Sequence, residues 1–137
     1  MSSAELVRLA GTPGVEIGAH TSNHVWLPGE ARDAQLKEIA QSKWRLEELI
    51  RRPVLSFSYP YSGHTPEIVD IVRQAGYEQA VTIDGRPVMA RENSFLLPRL
   101  EIPNCDEGAF TERLRSLFDA SSDPQSYAAW TTTSTNR

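Results

Sequence analysis

Cysteine is almost absent from this 137-residue chain: Cys105 stands alone. No internal disulfide can form, and a single thiol says little about compartment. Long apolar runs are missing too. Hydrophobic residues make up 39% of the chain, yet no stretch approaches the ~18 consecutive apolar residues of a membrane-spanning helix. Positive charge is in deficit, with 14 Lys and Arg against 18 Asp and Glu and a formal net charge of −4. Such a surface repels phosphodiester backbones and anionic lipid, so neither nucleic acid nor a membrane is the expected partner. Met1-Ser2-Ser3-Ala4-Glu5 offers no basic region followed by an apolar one, so no signal peptide is read there and localisation stays open. No internal repeat stands out, and the length suffices for one core.

What is present punctuates the chain cleanly. Ser2 and Glu5 have capping-box spacing, which predicts a short helix to about Ala10. Gly11-Thr12-Pro13-Gly14 reads as a turn and Val15 to Ala19 as a strand. Pro28 is expected in the first turn of a long helix that ends at Pro53, with Leu36, Ile39, Trp44, Leu46, Leu49 and Ile50 as its apolar stripe. Val54 to Phe57 reads as a buried strand. Thr65 and Pro66 open another helix that buries Ile68, Val69, Val72 and Ala75 and stops at Gly76. A strand over 78–83, an Asp84-Gly85 turn, a strand from Leu97 to Ile102 and a helix from Glu107 to Phe118 complete the pattern. The Ser- and Thr-rich residues 120–137, with Asp123 and Pro124 among them, leave too little to bury and are expected to form a disordered tail. Alternating strands and helices predict parallel β/α units.

The stretch richest in chemistry is His20-Thr21-Ser22-Asn23-His24, directly after the first strand-like run. Neutral imidazole is the commonest protein ligand for zinc and similar cations, and a strand that ends in a small-residue turn can aim two rings at one ion. Two solvated histidines in a polar loop satisfy the same pattern. Tyr59-Pro60-Tyr61 likewise reads as a site turn or as an aromatic-proline turn that covers a core. His64 is an extra ligand or, in the reading preferred, a rim residue that caps the helix after it.

Taken in order, these segments resemble the polysaccharide deacetylases of carbohydrate esterase family 4, the NodB-homology domain. Glu16-Ile17-Gly18-Ala19-His20-Thr21-Ser22-Asn23-His24 is similar to the family's histidine motif. Phe57-Ser58-Tyr59-Pro60-Tyr61-Ser62-Gly63 resembles its next motif, in the branch that lacks an arginine. Ala75-Gly76-Tyr77-Glu78-Gln79-Ala80-Val81-Thr82 resembles its helix-to-strand passage, and Leu97-Pro98-Arg99-Leu100 a later strand. The resemblance implies an α/β fold, a partial distorted (β/α) barrel of the seven-stranded type. It implies hydrolysis of N-acetyl groups on an amino-sugar polymer, so the expected partner is a carbohydrate. A divalent metal, zinc by expectation, would be held by His20 and His24. The backbone N–H of Tyr61 would serve the developing oxyanion, and Tyr59 and Pro60 would line the substrate.

The chain departs from the family in ways that bear on activity. The family's T-F-D-D-G motif, which supplies the catalytic base and a third ligand, has no counterpart, and no aspartate precedes Val15. Residues 1–119 are therefore read as the C-terminal portion of such a domain, with its first strand missing and its activity impaired. A barrel edge left open exposes unpaired backbone, which predicts self-association. Ser58 stands where many members carry an arginine, and Arg99 is the expected stand-in as a catalytic guanidinium. The family's acid histidine has no evident counterpart. Family members often act at the cell envelope or outside the cell. A non-catalytic metal- or carbohydrate-binding remnant, or a fragment that completes its barrel with another chain, remains the alternative.

Overall fold

A computed structural model describes residues 1–120 of the chain. Its elements are α1 (Ser3–Ala10), α2 (Arg32–Ile50), β1 (Ser56–Ser58), α3 (Pro66–Gln74), β2 (Gln79–Val81) and α4 (Glu107–Ala120). Short 3₁₀ turns lie at Leu27–Gly29 and Pro60–Ser62. The tail expected over 120–137 falls outside the described residues, apart from the last residue of α4. Two compact units divide the chain: one holds residues 1–82 with 93–97, the other residues 83–92 and those from 98 onward.

In the first unit, α1 begins as its sequence demands. The Glu5 amide donates to the Ser2 hydroxyl at 3.3 Å, and the Glu5 carboxylate accepts from the Ser2 amide at 2.6 Å. The long helix starts later than expected. Pro28 sits in a separate 3₁₀ turn, and α2 begins at Arg32 after an Ala31 that offers no side-chain cap. Its buried face is also narrower than the apolar stripe suggested. Ile39 and Ser42 are buried, whereas Trp44 is 61% exposed and Leu36 lies at the surface. Ser42 is tolerated inside because its hydroxyl donates to the Ile39 carbonyl at 2.9 Å and meets the Tyr77 hydroxyl at 3.3 Å. The Tyr77 hydroxyl in turn donates to the Ile39 carbonyl at 3.1 Å, tying α2 to the chain after α3. Burial pushes the Tyr77 phenol up to about 12, against the opposing hydrogen bond from Ser42.

The sheet is parallel, as β/α alternation requires. Ser56, Phe57 and Ser58 pair with Gln79, Ala80 and Val81, and the ladder widens by single bridges from Ala19 to Phe57 and from Val81 to Leu97. The strands expected over 15–19 and 97–102 thus reduce to one bridging residue each. Ala19 uses both of its backbone groups on β1: its N–H reaches the Ser56 carbonyl at 2.9 Å and its carbonyl accepts from the Ser58 amide at 2.8 Å. Phe57, Tyr59 and Tyr77 form the aromatic heart of the core, with Ile68 and Val72 of α3 beside them. Each such side chain contributes on the order of 1.5–3 kcal/mol by leaving water. α3 is capped by the Thr65 hydroxyl and led by Pro66 as expected, and it buries Ile71 as well as Ile68, Val69 and Val72.

The second unit contains α4 and the loop held by Arg86 and Glu92, which pair through both guanidinium nitrogens at 2.9 and 2.8 Å. The Arg86 guanidinium holds the Glu92 carboxyl down at about 2.

Candidate active site

The parallel bridge between Ala19 and β1 places two loops at one end of the ladder. His20 follows Ala19, and Tyr59-Pro60-Tyr61 follows β1, so both leave the C-terminal ends of their strands. Sites in α/β folds gather at this end because the loops there converge. His20 is fixed by the neighbouring strand, its Nδ1 lying 2.7 Å from the Ser58 carbonyl oxygen. A carbonyl can only accept, so Nδ1 carries the proton, and in the neutral ring Nε2 presents a lone pair. His24 stacks edge-on to His20 with ring centroids 4.7 Å apart. Its own Nδ1 lies 3.1 Å from the Tyr61 hydroxyl, and the His24 and Tyr61 rings meet edge-on at 4.8 Å. Both histidines and Tyr61 are exposed.

The histidine loop is held from below by α2. The Glu38 carboxylate accepts from the amides of Ser22 and Asn23, each at 2.9 Å, and from the Asn23 side chain at 2.6 Å. Burial raises the Glu38 pKa, but the hydrogen bonds from Asn23 and Ser22 and the charge of Lys37 outweigh it, and the net shift is downward. Thr21 closes the loop by accepting from the His24 amide at 3.0 Å. Backbone strain concentrates here. Six non-glycine residues among those described have left-handed φ, and four of them, Thr21, His24, Tyr61 and Ser62, lie in these two loops. Each costs roughly 1–2 kcal/mol for an L-residue and persists only where surrounding contacts enforce it, which is typical of functional sites.

The Tyr59-Pro60-Tyr61 turn divides by residue between the core and the surface. Tyr59 is fully buried and its hydroxyl donates to the Phe95 carbonyl at 3.0 Å. Pro60 is buried as well. This corrects the expectation that Tyr59 and Pro60 line the substrate: their side chains belong to the core and offer a ligand no surface. Tyr61 alone faces the histidines, at 65% exposure. The turn is closed by the amides of Ser62 and Gly63, which donate to the Tyr59 and Pro60 carbonyls at 3.1 and 2.9 Å. Those bonds leave the Tyr61 amide out of the turn's own network, as expected for the first turn of a helical segment. His64 neither joins the histidine pair nor caps α3. Its Nδ1 lies 2.8 Å from the Ser62 carbonyl and its ring packs beside Tyr59, while Thr65 does the capping. Arg99 lies in the second unit, where its carbonyl accepts from the Gly85 amide at 3.1 Å. It lines a hollow of about 250 Å³ with Ile83, Leu100 and Glu101. The site described here is built from the first unit alone.

His20 and His24 could offer a divalent ion two imidazole nitrogens, one ring held at Nδ1 by a strand carbonyl and the other beside a tyrosine hydroxyl. Among the described residues, no third His, Cys, Asp or Glu gathers with them. Sequence reasoning missed two supports. Glu38 carries no local signal of its role, because it reaches the loop from a helix that begins after an intervening turn. The Tyr61 hydroxyl was passed over in favour of the Tyr61 amide.

The family model described as polysaccharide deacetylase matches residues 2–80. A relative from Bacillus subtilis (strain 168), YxkH, assigned by name to the polysaccharide deacetylases, is 25% identical over 105 residues, 76% of this chain and 38% of its own length. Among solved structures, the Streptococcus pyogenes deacetylase PplD, in complex with acetate, superposes with a TM-score of 0.75 at 21% identity, covering 82% of this chain and 50% of PplD. A polysaccharide deacetylase from Bacillus cereus gives 0.70 at 20% identity, over 82% of this chain and 36% of its own. The chain therefore spans half or less of the length of these relatives. The structural likeness shows a shared fold, mixed α/β and of the NodB-homology type.

Proposed function

Because this chain belongs to the polysaccharide deacetylase family, we propose that it carries the imidazole and oxyanion side of a metal-dependent site that hydrolyses N-acetyl groups on an amino-sugar polymer. The observation that carries this reading is the convergence of His20, His24 and Tyr61 at one end of the parallel ladder. His20 and His24 would hold the ion, zinc by the chemistry of two imidazoles. When bound, such an ion supplies Lewis acidity to an amide carbonyl and to water. The Tyr61 amide, unused by its own turn, would donate to the oxyanion that develops on the acetyl carbonyl. Pro60 acts beneath it by fixing the backbone that aims this amide. The ladder described here would form an arc of the seven-stranded distorted barrel.

Among the described residues, no Asp or Glu gathers with His20 and His24 to serve as a base. The carboxylate that reaches the histidine loop, Glu38, is spent on three N–H donors, and its lowered pKa makes it a weak proton acceptor. The chain by itself is therefore proposed to be a weak deacetylase, with release of acetate from N-acetylglucosamine oligomers near background. Joining the family's aspartate-bearing T-F-D-D-G strand ahead of Met1 tests the reading. Metal-dependent acetate release that the His20→Ala, His24→Ala double change abolishes is the expected result. Release that survives the double change contradicts it. The two-donor set also favours a second reading, a module that binds metal or carbohydrate without turnover, and absence of any release from the joined chain would select it.

A further inference from the structure

The two loops that build the histidine site also build a seat for an indole. Trp26 lies two residues beyond His24 and is 56% exposed. Leu27, the next residue, is fully buried, and Val25, the one before, packs against the core, so the backbone that carries the ring is anchored on both sides. Its carbonyl accepts from the Gly29 amide at 3.0 Å. The ring rests against two glycines. A Cβ added at Gly29 would come within 2.8 Å of the indole Cε3, and one added at Gly63 within 2.8 Å of both Cδ1 and Nε1. Gly63 follows Tyr61 by two residues. The indole is thus pinned between the 3₁₀ turn at Leu27–Gly29 and the end of the tyrosine turn, by contacts only a residue without a side chain permits.

Single exposed apolar side chains are ordinary; what sets Trp26 apart is the close seat against Gly29 and Gly63, which holds a large aromatic ring in place two residues from His24. Trp44, also exposed, lies on the solvent face of α2, with no such seat. We propose that Trp26 is the platform for a pyranose ring of the glycan bound at this site. The C–H-rich face of a pyranose presents weakly positive hydrogens, which suit the negative face of an indole, and the pair gains dispersion contacts over the whole ring. A rigid platform loses little entropy on binding, so the contact is worth more than one made by a free surface side chain. The proposal rests on the deacetylase reading for the N-acetylated nature of the glycan, and on the seat alone for the pyranose.

Titration of the full chain with an N-acetylglucosamine tetramer, followed through the indole N–H resonances, tests it. The Trp26 resonance should move and that of Trp44 should not. Trp26→Ala should weaken binding on the order of tenfold, while Trp44→Ala binds within about twofold of the native chain. Should Trp26→Ala unfold, the indole shifts of the native chain carry the test. Binding undiminished in Trp26→Ala, or an unmoved Trp26 resonance under saturation, overturns the platform and leaves the deacetylase reading standing. A glucose tetramer is the second probe. If it binds through Trp26 and the N-acetylated one does not, the platform holds and the N-acetyl substrate fails. No binding of either sugar overturns the platform.

Discussion

The Tyr61 hydroxyl lies 3.1 Å from Nδ1 of His24, so the residue whose amide is proposed for the oxyanion also touches one of the two imidazoles through its side chain. Groups that hydrogen-bond the outer nitrogen of a ligating histidine fix its tautomer and orientation, and their loss typically costs about 10–100-fold in metal affinity. Tyr61→Phe is therefore expected to lower zinc affinity by roughly tenfold while leaving the Tyr61 amide in place. Calorimetric titration of zinc into both proteins reads this directly. Imidazole ¹⁵N shifts should show the His24 tautomer change in the variant and the His20 tautomer stay as it is, with the proton on Nδ1. Equal affinity in the two proteins would show the hydroxyl to be a bystander.

Glu38 anchors the histidine loop, and its removal should loosen it. Three N–H donors lose their acceptor in Glu38→Ala, which is expected to destabilise the fold by about 1–3 kcal/mol in urea denaturation. The pH dependence has a defined sign. The folded pKa lies below the ordinary 4.5, so the contribution of the charged anchor is complete above that value and is lost as pH falls below it. The stability gap between the native chain and Glu38→Gln should consequently be largest near neutral pH and shrink as pH falls below about 4.5. A gap that widens on acidification would rule out the anchor.

Gly63→Ala should be destabilising for steric reasons alone. The backbone φ at Gly63 is an ordinary −71°, so strain is not at issue. The new methyl would meet Trp26 at 2.8 Å and the Cδ of Pro28 at 2.9 Å, and a proline ring cannot rotate aside. Overpacking of this kind costs about 1–3 kcal/mol. Trp26→Ala should relieve only part of it, because Pro28 remains. Urea titration of the two single variants and the double variant checks the cycle, and a neutral Gly63→Ala would show that the loops yield freely.

Much of the fold was legible in the sequence, and the lapses have physical causes. The capping box at Ser2 and Glu5, the Thr65-Pro66 start of α3 and the Gly76 stop are local chemistry, and local chemistry survives tertiary context. The start of α2 was misplaced because proline suits the first turn of a 3₁₀ segment as well as that of an α-helix. Leu36 shares the helical period with Ile39 yet lies at the surface, because period alone does not tell which face the rest of the fold covers, and Trp44, five residues beyond Ile39 and roughly 140° round the helix, falls off that face. The histidine pair was visible as a motif. The division of labour in Tyr59-Pro60-Tyr61 was not, since burial of two of the three depends on Phe95 and the core around it. Glu38 and the seat of Trp26 arise from contacts between segments far apart in sequence, which no spacing rule encodes.

The central claim is that His20 and His24 act as a pair of metal donors. Metal content and zinc titration of the purified chain, set beside the His20→Ala, His24→Ala double variant of equal thermal stability, test it most directly. Zinc should bind the native chain stoichiometrically but weakly, as two protein donors allow, and the double variant should bind none at that site. Equal zinc binding by the two proteins would contradict the account.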